Sequence, residues 1–347
     1  MELSDEKLIN MLAYEAFIRR ASEVNLPFML KGSYVTRQYF PNPHDRLPND
    51  LDWVYLPFLT DIDDARSKFN DWVIQVTDAY QTDGTRFLSF KQNAFWRMID
   101  YAMADDFPTV NTDLTCWVDN EKFDWFSLDI SFNLDIEVGS VPLLYQPVRG
   151  EPFTIPQTVP LSLQVAWKIH QTLVRPRFKD IFDLIHLLQH PAFDAKALAQ
   201  AQLTLVNECS ADNVDVRSLL YLINGNLQPL FKEDDMQALW EFWRFGKSKK
   251  LRYDFYPKAE EITDPEKLPA TLAEFLGQFQ SALSTAGFNQ YLINHLPTPT
   301  RQKRKGYNTP KPGVVPPIME AMATTIVPDN SDKKRSAILD FFSRLFK

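Results

Sequence analysis

Leu8, Leu12 and Ala16 recur at helical spacing with Met11 and Phe17 alongside, and Ser4 stands where it can cap them, which predicts a helix over about 5–25. The short apolar run Pro27-Phe28-Met29-Leu30 reads as a buried strand ending at Gly32-Ser33. Tyr34 to Phe40 then reads as one or two helical turns, followed by a Pro-broken loop from Pro41 to Pro48. Leu51 to Leu56 is a second strand, 62–80 a helix, and 85–135 is rich in aromatic and β-branched residues that suit further strands. Within that stretch Phe126, Leu128, Ile130, Phe132 and Leu134 alternate with Ser127, Asp129, Ser131 and Asn133, so one face of the strand is apolar and the other polar.

After a Pro-spaced link over 142–160 the period becomes helical. Leu163, Ala166, Ile169 and Leu173 mark one helix, and Ile181, Leu184, Ile185 and Leu188 mark the next. Further helices are expected at 195–209, 214–224, 235–245 and 270–295. The reading is an α+β chain: a mixed β-sheet with helices over 1–155, then a helical domain over 156–296. From 297 the composition changes. Six prolines lie within 297–317, and Arg301, Lys303, Arg304, Lys305 and Lys311 are interrupted by no acid, so 297–335 reads as a basic linker and 336–347 as a short amphipathic helix.

Charge sharpens this division. The whole chain has a formal charge of −8, but the segment from 297 onward is net positive and the body before it correspondingly acidic. An acidic body argues against broad binding of a phosphate backbone, while a short basic arm suits nucleic acid, an acidic protein or solvent alone. No apolar run approaches the ~20 residues of a membrane helix, and the start lacks the pattern of a signal peptide. Cys116 and Cys209 form no disulfide framework, so a reducing cytoplasm is expected. With only 10 glycines the chain has neither a dinucleotide fingerprint nor a P-loop; Gly246-Lys247-Ser248 reads as a helix end. His186 and His190 lack the Glu of a zinc-protease helix and read as ordinary helix residues.

One constellation carries chemistry. A strand, a Gly32-Ser33 turn, a helical turn and then Asp50 and Asp52 follow one another in order. A Gly-Ser turn lets backbone N–H groups and a hydroxyl approach a phosphate, and carboxylates at i and i+2 on a strand share a face on which they can hold a divalent cation. Asp129 lies on the polar face of a neighbouring strand, where it would complete a two-metal clamp, with Asp135 and Glu137 as competitors for that place. In the helical half Lys168, Gln171 or Thr172, and Arg175 share a face, as do Asp180 and Asp183. Lys168 with either aspartate is also what a plain helix-hairpin ion pair would look like.

Leu30-Lys31-Gly32-Ser33, Arg46 through Asp52, Leu128-Asp129-Ile130, and Lys168 through Lys179-Asp180-Ile181-Phe182-Asp183-Leu184 together resemble the AbiEii/AbiGii toxin family of nucleotidyltransferases. The resemblance implies a polymerase-β-like nucleotidyltransferase fold with a helical companion, a Mg²⁺ (or Mn²⁺) cofactor and a nucleoside triphosphate substrate. It also implies a cognate antitoxin and an acceptor hydroxyl on RNA, such as a transfer RNA end, or on protein. Under it Asp50, Asp52 and Asp129 hold metal, and Gly32, Ser33, Lys31, Arg46 and Lys168 meet the triphosphate. Asp180 completes the catalytic set. Arg37, Arg46, Arg175, Arg177 and Lys179 lie within or beside these motifs, and such a concentration in an acidic body suits either a basic cleft for a phosphate-bearing acceptor or plain neutralisation of Asp50, Asp52, Asp129, Asp180 and Asp183. The sixteen residues between Ser33 and Asp50 exceed the family's usual spacer. A module of the same fold that binds nucleotide or protein without transfer is the alternative.

Overall fold

The computed structural model describes residues 5–92, 94–99, 108–245 and 262–300. The expected helix end at Gly246-Lys247-Ser248, nearly all of the basic linker and the terminal amphipathic helix fall outside them. The first half is built on a mixed sheet of eight strands in the order β3-β5-β6-β2-β1-β8-β7, with β4 also paired to β5. The strands are β1 (Phe28–Lys31), β2 (Leu51–Tyr55), β3 (Thr85–Phe87), β4 (Arg97–Ile99), β5 (Thr109–Val118), β6 (Glu121–Phe132), β7 (Val141–Tyr145) and β8 (Phe153–Thr158). β1 runs antiparallel to β2, whereas β2 and β6 are parallel, as are β1 and β8. Asp119 and Asn120 connect β5 to β6 with φ of 49° and 73°, left-handed values that short polar side chains tolerate and a tight hairpin requires.

α1 (Asp5–Glu23) and α3 (Ile62–Asp78) cover the apolar face of the sheet, which the alternation in β6 predicts. Phe17 packs on Trp72 and Phe126, and Phe28 stacks on Trp72 with ring centres 3.9 Å apart. Trp53 and Tyr55 of β2 meet Trp72 and Phe69 on that side, so Asp52 between them points to the opposite face. That face is not simply solvated: Asp129 and Ser131 are both buried, because neighbouring strands supply polar partners such as Thr109, whose hydroxyl lies 3.0 Å from that of Ser131.

The expected Pro-spaced link at 142–160 is instead a pair of strands. β7 and β8 are antiparallel, and β8 docks beside β1, so the sheet runs on to Thr158, past the division at 155. Prolines conceal such strands from a sequence reading: Pro142 is accepted on the edge strand β7, and Pro156 of β8 falls at the shift in register between the two strands.

Between β1 and β2 the chain forms α2 (Ser33–Thr36), two 3₁₀ turns and an irregular loop. The second half packs α4 (Leu161–Val174) against α5 (Phe178–Gln189) and α6 (Ala195–Ala211). Then come α7 (Leu219–Ile223), α8 (Gln228–Phe231), α9 (Met236–Phe245), α10 (Leu272–Thr285) and α11 (Gln290–Asn294). The single helix expected over 270–295 breaks at Gly287, whose φ of +92° an α-helix does not allow. The helix expected over 214–224 shortens to a 3₁₀ turn and α7. Phe178 of α5 packs with Trp240, Trp243 and Phe275 to close this core.

Candidate active site

Strand register assembles the site. Lys31 of β1 faces Asp52 of β2, Asp52 faces Asp129 of β6, and Asp129 faces Asn111 of β5. Residues in register on adjacent strands point the same way about 4.8 Å apart, so four neighbouring strands present one row: ammonium, carboxylate, carboxylate, amide. The Lys31 ammonium donates to Asp52 Oδ1 at 3.1 Å, and the Asn111 amide donates to Asp129 Oδ1. Register also separates Asp129 from its competitors. Asp135 lies beyond the end of β6, and Glu137 bonds Asn207 of α6.

Asp50 enters just ahead of β2. Its residue is open to solvent, yet enclosure by the surrounding protein, together with the Asp52 carboxylate, pushes its pKa above the ordinary carboxylate range. Lys179, Arg46 and Lys31 pull in the opposite direction without reversing the shift. Tyr14 ties the neighbourhood together: its hydroxyl accepts from the Ser127 N–H at 3.2 Å and lies 3.4 Å from the Asn49 carbonyl.

Gly32 stands against the row. Its φ of 74° and ψ of −156° are essentially reserved for glycine, and a Cβ there would strike the Asp52 carboxylate. The next residue, Ser33, has a buried hydroxyl with no hydrogen-bond partner, a donor left for something not present in the chain.

A second acidic group sits where the two halves meet. Asp183, fully buried, accepts from Arg46 Nε at 2.8 Å and Nη2 at 3.3 Å and from Lys168 Nζ at 2.7 Å. Burial opposes its charge, but these two cations hold its pKa well below the usual range. Asp180 takes Lys168 at 3.4 Å and Arg177 Nε at 2.6 Å. Lys168 thus bridges both aspartates, as the helix-hairpin reading expects, while remaining partly exposed. Arg46, expected to meet the triphosphate, is buried, and its guanidinium binds Asp183 and the Leu47 carbonyl. The long spacer before Asp50 serves this contact. It also receives the 262–267 segment, through an Arg46–Ile262 bridge, a Thr263 N–H to Asp45 O bond and a Lys267–Asp45 ion pair.

One expectation is overturned outright. Arg37 cannot line a basic cleft, because it is fully buried and donates to Glu15, Tyr145 and the Pro43 carbonyl. It anchors α1 and β7 to the turn after α2. His186 packs against Phe40 and Phe182, His190 against Tyr39, and burial lowers the pKa of both. Asn111 was invisible in the sequence beyond its membership of a strand-rich stretch. Lys179, adjacent to Asp180, is the foremost of the cations acting on Asp50, a role that only the placement of α5 reveals.

Among the described residues no three His, Cys, Asp or Glu side chains converge to hold a metal ion as they stand, and no helix is long and apolar enough to cross a membrane. Comparison with curated proteins finds no match. The family model described as "Nucleotidyl transferase AbiEii toxin, Type IV TA system" matches residues 16–292, a span that contains every site residue above except Tyr14. The chain therefore belongs to the AbiEii nucleotidyl transferase toxin family, as the order of its motifs and the α+β fold both lead one to expect.

Proposed function

We propose that this nucleotidyltransferase moves a nucleotide from a nucleoside triphosphate to an acceptor hydroxyl on RNA, with a transfer RNA end as the foremost candidate. The observation that carries the reading is the in-register pair Asp52 and Asp129 beside the Gly32-Ser33 turn with its orphaned hydroxyl. The donors are all carboxylate oxygens, which suits Mg²⁺ or Mn²⁺, and Asp50, Asp52 and Asp129 are the residues that would hold it. When bound, such a cation stabilises the charge that develops on the attacking and leaving oxygens.

The chain's own groups divide the remaining work. Ser33 donates its hydroxyl to a phosphate oxygen, and the bare Cα of Gly32 leaves the Asp52 carboxylate room to sit beside that turn. Lys31, Lys168 and Lys179 supply positive charge for the triphosphate. Asp129 accepts the hydrogen bond of the acceptor hydroxyl, aims its oxygen at the α-phosphorus and takes its proton; the new O–P bond forms as the bond to pyrophosphate breaks. Asp180 orients Lys168. Arg46 acts one step removed, holding the loop that delivers Asp50. Arg175 and Arg177, the latter while paired with Asp180, add positive charge that attracts a phosphate-bearing acceptor. A cytoplasmic location and a cognate antitoxin complete the proposal.

The test is incubation with each labelled nucleoside triphosphate, Mg²⁺ and total cellular RNA and protein, with Asp52→Asn as control. Label entering RNA with the parent chain and not with the variant supports the reading. Label in protein alone would move the acceptor to a polypeptide, and equal labelling by Asp52→Asn would overturn the assignment of the row.

A further inference from the structure

Asn111 occupies the end of the catalytic row, and every polar atom of its side chain is engaged. Its Nδ2 donates to Asp129 Oδ1 and, at 2.7 Å, to Ser127 Oγ, with the Leu128 carbonyl at 3.4 Å as a longer third contact. Its Oδ1 accepts from Arg97, whose Nε lies at 3.1 Å and whose Nη2 also reaches it. Arg97 in turn forms an ion pair with Asp113, two positions beyond Asn111 on β5, and its guanidinium lies 5.4 Å from the Phe95 ring centre.

These contacts remove the ambiguity of an amide. With the side chain reversed, the Asn111 carbonyl would face the Asp129 carboxylate and its NH₂ would face a guanidinium, acceptor against acceptor and donor against donor. Only one orientation satisfies both neighbours. Asn111 and Asp129 are 6% and 5% exposed, so neither finds a substitute partner in water without opening the sheet.

We propose that Asn111, locked by Arg97, is a positioning residue that fixes the plane of the Asp129 carboxylate for the acceptor hydroxyl. Asp52 has Lys31 on the far side of the row for the same purpose, but a Lys ammonium swings on a flexible stem while an amide doubly anchored between strands does not. The rigid partner belongs to Asp129 because aiming an oxygen at phosphorus tolerates little angular error. This inference rests on the reading that Asp129 meets the acceptor.

The experiment measures kcat and KM for the nucleotide in Asn111→Leu, Arg97→Leu and Arg97→Lys, each alone and in the Asp129→Asn background, with melting temperature recorded. Asn111→Leu should lower kcat by about 10- to 100-fold, the usual effect of removing an outer-shell partner, and leave KM within about twofold. Arg97→Leu should lower kcat in the same manner, and Arg97→Lys, which keeps a donor on Asn111 Oδ1, should recover most of it. Since Arg97 is largely outside the core, its variants test the positioning role even if Asn111→Leu fails to fold. In the Asp129→Asn background neither leucine variant should reduce kcat further. If Asp129→Asn is inactive but both leucine variants turn over like the parent, the positioning role is overturned and the role of Asp129 stands. If Asp129→Asn is fully active, both fall together.

Discussion

Two acidic groups lie close to the junction of the sheet with the helices, and they are treated in opposite ways. Asp183 and Asp180 are saturated: Arg46, Lys168 and Arg177 contribute direct ion pairs to two buried carboxylates. At Asp50 and Asp52 negative charge outweighs positive: Lys31 is an ion-pair partner of Asp52, and the Asp50 pKa is driven upward by enclosure and by the Asp52 charge. A saturated cluster joins pieces of chain, because breaking it strands a charge in the interior. An undersaturated cluster has charge to spare for a ligand, and it is tolerated because the ligand completes it. Sequence alone makes the two look alike, since each is a pair of aspartates two or three positions apart.

Asp52→Asn puts this contrast under the greatest strain. Transfer should fall about 10³-fold, equivalent to about 4 kcal/mol of barrier, while the melting temperature stays at or above that of the parent because repulsion with Asp50 is relieved. Steady-state labelling and thermal unfolding of the same sample check both halves. Asp183→Ala should do the reverse, lowering the free energy of unfolding by about 3–5 kcal/mol, since Arg46 is then buried without its partner. A denaturant titration showing less than about 1 kcal/mol would mean that water replaces the carboxylate readily.

Gly32→Ala probes the edge of the undersaturated group. The backbone strain should cost about 1–3 kcal/mol, and the displaced Asp52 carboxylate should take activity down with it; thermal unfolding and labelling of the variant read the two effects. The smallest effect concerns acid. The folded-state pKa of Asp183 is depressed, so its contribution is fully present above the unfolded value of about 4 and is lost as pH falls through the folded value. Stability of the parent should therefore decline on acidification below about pH 4 more steeply than that of Asp183→Asn. Parallel pH dependence in the two proteins would show that other carboxylates dominate.

The elements near the site are largely legible without coordinates. α1, β1, β2, α3, β6, α4 and α5 all follow from period and breakers, because helix and strand spacing are properties of a few consecutive residues. β7 and β8 are not legible in the same way, for two prolines read as a linker until β1 is there to pair with.

Residues close together along the chain suffice to put Asp50 and Asp52 on one face, to make Gly32-Ser33 a turn, and to set Asp180 and Asp183 on one face of a helix that follows the one bearing Lys168. Each follows from local geometry. That Lys31, Asp52, Asp129 and Asn111 form one row is a property of the folded sheet, because register between strands far apart in sequence depends on how the whole sheet closes. Folding also chose among chemically equal arginines. Arg37 went to Glu15 and Arg46 to Asp183, a pair separated by 137 positions. Nothing in a guanidinium's neighbours along the chain tells which distant carboxylate will be brought within hydrogen-bonding range of it.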